Sequence, residues 1–99
     1  MSPIPHLLLA GLLAVMPAVL PASAQAPLVV EGCIGCHGPG GSGAGGVPAI
    51  AGRDAGELRA LLAGFRANER PATIMGRVTR GYTEAEMAAA ADHFARLPR

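Results

Sequence analysis

Apolar positions in this chain recur at helical spacing and nowhere at strand spacing. Leu58, Leu61, Leu62 and Phe65 fall at i, i+3, i+4 and i+7, with Glu57, Arg59 and Arg66 off the stripe, which predicts an amphipathic helix over Ala55–Asn68. Arg70-Pro71 is expected to end it, because the residue before a proline is pushed out of helical geometry. Thr83-Glu84-Ala85-Glu86 has the spacing of a capping box. It opens a last helix whose inward face is Met87, Ala90, Ala91 and Phe94 and which Pro98 stops. Upstream, Leu28–Cys36 is a short apolar segment that can form a helix, with Gly32 as a flat spot for close approach of another element. A glycine-rich stretch, Gly38–Gly46, separates it from the second helix. The pattern is helix, long loop, helix, loop, helix. It describes an all-α domain of three or four short helices joined by long loops, with no internal repeat.

The first two dozen residues do not fit that pattern. Leu7–Leu20 is an apolar run interrupted only by small residues and Pro17, and Pro21-Ala22-Ser23-Ala24 follows it. This reads as a secretory signal peptide over residues 1–24, cleaved after Ala24, although no Lys or Arg precedes Leu7. The run is shorter than the ~20 residues of a spanning helix, so no stable membrane span is expected. The folded domain is then 25–99, exported to the periplasm. All side-chain charge lies there: eight basic residues, every one an arginine, against seven acids, for a net +1. That balance excludes an electrostatic nucleic-acid binder, which needs a strongly basic face. Two Phe, one Tyr and no Trp leave a domain of this size with a marginal polypeptide core. A large apolar cofactor would have to supply the rest.

Cys33-Ile34-Gly35-Cys36-His37 names that cofactor. Cys-x-x-Cys followed at once by His is the attachment signature of a c-type haem: two thiols one helical turn apart each add to a vinyl group, and the adjacent imidazole reaches the iron. A thioredoxin-like pair would need a βαβ context that is missing, and a zinc site would need a fourth ligand, with only His37 close in sequence. A Cys33–Cys36 disulfide would close too small a loop to stabilise much and leaves His37 without a role. The glycine-rich stretch has no P-loop lysine and reads as a loop wrapping the haem edge. Pro48, in Val47-Pro48-Ala49-Ile50, has a carbonyl but no N–H. It is the expected acceptor for the second ring proton of His37, since a metal-bound histidine normally gives that proton to such a group.

Met75, Met87 and His93 are the candidates for the other axial position. Met87 occupies a core-facing slot, where methionine usually fills space, and His93 reads as an ordinary surface histidine. Met75, expected in a loop between two helices, is the chosen ligand. A thioether favours ferrous iron and raises the potential. With His37 and Met75 both bound, the centre passes electrons and does no bond chemistry. Arg70, Arg77 and Arg80 bracket Met75 and could steer an acidic partner.

These residues resemble a class I cytochrome c in the branch near cytochromes c4 and c5. The resemblance rests on Cys33-x-x-Cys36-His37-Gly38, the glycine-rich loop, Pro48 followed by Ala51-Gly52, Phe65-Arg66, Met75, and Phe94-Ala95-Arg96-Leu97. The segment from Ala72 to Thr83 is similar to the methionine-ligand loop of the cytochrome subunit of flavocytochrome c sulfide dehydrogenase. The resemblance implies one covalently bound haem c and a separate FAD-containing flavoprotein subunit that oxidises sulfide. It also implies a soluble cytochrome that accepts the electrons. A free electron carrier serving a terminal oxidase or reductase is the alternative, and a haem sensor with a switchable sixth ligand is the second.

Overall fold

The computed structural model describes residues 1–5, 10–18 and 26–99. The Leu7–Leu20 run therefore falls partly, and the Ala24 cleavage site wholly, outside the described residues. Within residues 10–18 there is no helix, and Leu12, Leu13, Val15 and Met16 are at least 85% exposed. No helix among the described residues is long and apolar enough to cross a membrane.

Among the described residues, four α-helices carry the fold: α1 (Val29–His37), α2 (Ala55–Arg66), α3 (Met75–Arg80) and α4 (Glu84–Ala95), with one 3₁₀ turn at Pro39–Gly41. The only β-type pairing among the described residues is one isolated bridge between Ala44 and Val47. Helix α4 is the hub, packing against both α1 and α2, while α3 lies on α2. Val29 and Val30 of α1, Leu58 of α2, and Ala90, Ala91 and Phe94 of α4 form the core cluster. Phe94, 2% exposed, contributes about 1.5–3 kcal/mol by its burial. An ion pair from Arg59 Nη1 to Asp92 Oδ1 at 2.8 Å joins α2 to α4 on the surface.

Each boundary has a local cause. Thr83 caps α4 in a complete capping box: its hydroxyl accepts from the Glu86 amide, and the Glu86 carboxylate accepts from the Thr83 amide. Asp54 caps α2 by accepting from the Glu57 amide at 2.9 Å. The C-terminus of α2 departs from expectation. The helix stops at Arg66, short of Asn68 and well before Arg70-Pro71. Asn68 takes a left-handed backbone, φ +58°, a conformation asparagine tolerates better than most residues. Glu69 N–H then donates to Gly64 O at 2.8 Å and Asn68 N–H to Phe65 O at 3.1 Å, which is a Schellman termination. Proline merely follows a helix that has already closed.

Met75, expected in a loop, is instead the first residue of α3. Six residues are too few to announce themselves by periodicity, and Ile74 ahead of them offers no capping side chain. Tertiary packing on α2 forms this helix. The Thr79 hydroxyl adds local support, donating to Met75 O at 2.7 Å.

Candidate functional site

Helix α1 places Cys33, Cys36 and His37 in its last two turns. Cys33 is half-buried, its Sγ donating weakly to Val29 O at 3.5 Å, and burial pushes its thiol up. Cys36 is exposed, and both thiols are free. His37 ends the helix and is buried, 8% exposed, because Gly38 turns the chain at φ +83°. A Cβ at Gly38 would meet the Gly43 carbonyl oxygen at 2.6 Å, so glycine is required at that turn.

The loop then folds back on α1. Gly43 N–H donates to His37 O, and the Ala44–Val47 pair reverses the chain. Gly41 O accepts from the amides of Ile50 and Ala51 at 2.8 and 3.0 Å. Between these anchors Pro48 is held with its carbonyl oxygen 2.6 Å from His37 Nδ1. A carbonyl only accepts, so Nδ1 carries the proton, and in the neutral ring Nε2 keeps its lone pair for a ligand bond. The orientation of the ring and its tautomer are fixed together.

Helices α2 and α3 supply apolar surface that polypeptide does not cover. Of the α2 stripe only Leu58 is buried; Leu61, Leu62 and Phe65 stay half-buried, as do Met75 and Val78 on α3. Ile74 is 57% exposed. An imidazole oriented by the Pro48 carbonyl, two free thiols one turn apart, a thioether and half-buried apolar side chains suit a flat apolar iron porphyrin. No group of three or more His, Cys, Asp and Glu residues among the described residues is assembled to hold a metal ion by itself. A groove of about 890 Å³ lined by Ala63, Gly64, Arg66, Arg80 and Met87 includes none of Cys33, Cys36, His37 or Met75. Met87 itself is buried in the interior, 6% exposed, and His93 packs edge-on against Phe94 at 5.2 Å between ring centres.

The cytochrome c family model matches residues 24–97. The chain is a class I cytochrome c. Cytochromes of this family bind haem c covalently and transfer electrons, and the Cys33, Cys36, His37 motif stands where α1 presents it. This cytochrome is 32% identical over 87 residues to the cytochrome subunit of sulfide dehydrogenase from Chlorobaculum tepidum, covering 87% of this chain and 79% of that one. It is 38% identical over 69 residues to the thiosulfate dehydrogenase electron acceptor of Stutzerimonas stutzeri, covering 66% of this chain and 32% of that protein. The cytochrome spans about a third of that second relative's length.

Two residues that sequence reasoning passed over stand beside the site. Thr79 is 1% exposed and bonded to Met75 O, and Tyr82 rests on α1 at Gly32. The signal for Thr79 was its i+4 spacing from Met75. The Tyr82 contact spans fifty residues of sequence and left no local trace.

Proposed function

We propose that this cytochrome is an exported, periplasmic one-electron carrier and the haem subunit of a sulfide-oxidising flavocytochrome c. On this reading residues 1–24 are its signal peptide and 25–99 its functional domain. Sulfide gives up two electrons at an FAD-containing partner subunit, this chain takes them one at a time, and a soluble cytochrome acceptor removes them. The observation that carries electron transfer is the bond between His37 Nδ1 and Pro48 O, which readies Nε2 as one axial ligand. Met75 would supply the other through its sulfur, and Cys33 and Cys36 would hold the ring as thioethers. The bound haem c supplies a ferric/ferrous couple. With His37 and Met75 as its ligands the iron would have no vacancy for oxygen or peroxide, and the thioether would raise its potential.

Sulfide as the electron source is supported by the similarity to the Chlorobaculum subunit over most of both chains. The second reading, a freely diffusing carrier, draws on the other relative, whose name describes an electron acceptor. Charge also bears on the partner. Between Arg70 and Thr83 the chain holds Arg70, Arg77 and Arg80 and no acidic residue, and all three are exposed, as is Ile74. Arg70 lies over the Phe65 ring, 5.7 Å from its centre. This surface suits a partner with carboxylates around an apolar contact, held more weakly as salt rises.

Gentle purification of the tagged cytochrome from its native periplasm at low ionic strength tests the proposal. Flavin near one per haem is expected, with haem reduction on adding sulfide and loss of flavin in a high-salt wash. Haem alone at full yield would leave the free carrier as the better account.

A further inference from the structure

Tyr82 lies two residues beyond α3, and the tip of its ring occupies the space into which a Cβ on Gly32 would project. Gly32 is in the interior of α1, one residue before Cys33. In the other direction, Tyr82 N–H donates to Thr79 O at 3.3 Å. The buried Thr79 hydroxyl donates to Met75 O at 2.7 Å, with Gly76 O at 3.3 Å as a weaker second acceptor. Met75, Thr79, Tyr82, Gly32 and Cys33 thus form an unbroken series. It links the helix that carries the thioether to the helix that carries the covalent attachment and the imidazole. Among the helices, α3 packs chiefly on α2 and α1 chiefly on α4, so this contact adds a tie between the two elements.

We infer that Tyr82 is a positioning residue for the Met75 sulfur, seated on Gly32, and that the pair sets how firmly the thioether is held and hence the reduction potential. The inference rests on the reading of Met75 as an axial ligand. Alanine at position 32 would displace the phenol. It would not weaken α1 by itself, since alanine is a better helix former than glycine. Removing the phenolic oxygen at the same time would take away the closest clash and leave Cζ at 3.3 Å from the added Cβ, which a shift of the ring by a few tenths of an ångström relieves.

The test compares holoprotein of the wild type with Gly32→Ala, Tyr82→Phe, the Gly32→Ala/Tyr82→Phe double variant and Met75→Ala. The readouts are the reduction potential, the near-infrared thioether-to-ferric-iron absorption and far-UV circular dichroism. Gly32→Ala is expected to shift the redox equilibrium about tenfold against reduction, ~59 mV for one electron, and to weaken the near-infrared band with helix content undiminished. The double variant is expected to return most of the way to wild type, and Tyr82→Phe alone to stay near it. An unchanged potential and band in Gly32→Ala, or a double variant that stays low, would overturn the positioning role. Should Gly32→Ala fail to accumulate, Tyr82→Leu removes the ring while keeping Gly32, and a wild-type potential there would overturn it equally. Persistence of the band in Met75→Ala would overturn the ligand reading itself, and the inference with it. Loss of the band in Met75→Ala, with Gly32→Ala like wild type, would overturn the inference alone.

Discussion

Met75→Ala is expected to convert the ferrous protein from a low-spin, ligand-saturated spectrum to one with an open coordination position, and to lower its potential by ~120 mV or more. At ~59 mV per tenfold, that is at least a hundredfold in the redox equilibrium. It sits comfortably within the ~0.8 V that axial ligands command across haem proteins. The physical reason is the softness of the thioether, which stabilises ferrous iron more than ferric. Alanine offers no donor, and neither plausible substitute is well placed: Met87 is buried in the interior at 6% exposure and His93 packs against Phe94. Redox titration with optical detection measures the effect directly. A potential within ~30 mV of wild type and an unaltered ferrous spectrum would show that another group, or none, fills the position.

The second large effect is on folding. The Cys33→Ala/Cys36→Ala double variant is expected to lose covalent haem, seen as absence of haem stain on a denaturing gel, and with it the cooperative far-UV transition. Among the described residues eight apolar side chains are buried, and three of them, Ala51, Ala90 and Ala91, are alanines. Leu61, Leu62 and Phe65 of α2 remain half-covered by protein. A domain of this size has little stability to spare. Attachment of the cofactor therefore completes the core as well as the site. A haem-free variant with wild-type helix content and a sharp thermal transition would contradict this.

What was legible in the chain was what is local. The attachment motif is five consecutive residues, and the capping box at Thr83 and Glu86 spans four. The α2 stripe shows a clear helical period, and the α4 face is as buried as its pattern implied. Pro48 was legible only as a carbonyl without an N–H; its 2.6 Å approach to His37 depends on the fold-back of the glycine-rich loop. Less was visible where tertiary contacts decide. Helix α3 is six residues long without a capping side chain, so the Met75 segment read as loop. Pro71 is the conspicuous breaker after α2 in the sequence, but it does not end the helix. Asn68 had already closed the helix through its left-handed backbone. Gly32 was legible as a place of close approach, but its partner, Tyr82, was not, since nothing in the sequence couples positions so far apart.

With His37 and Met75 both bound, the iron would have no vacant position, and the protein would carry electrons and bind no gas. Exposing the dithionite-reduced wild-type holoprotein to carbon monoxide tests it most directly. An unchanged ferrous spectrum at saturating gas is the predicted result. Prompt conversion to a carbon monoxide complex would contradict it and point to a ligand-binding haem module with a switchable sixth position.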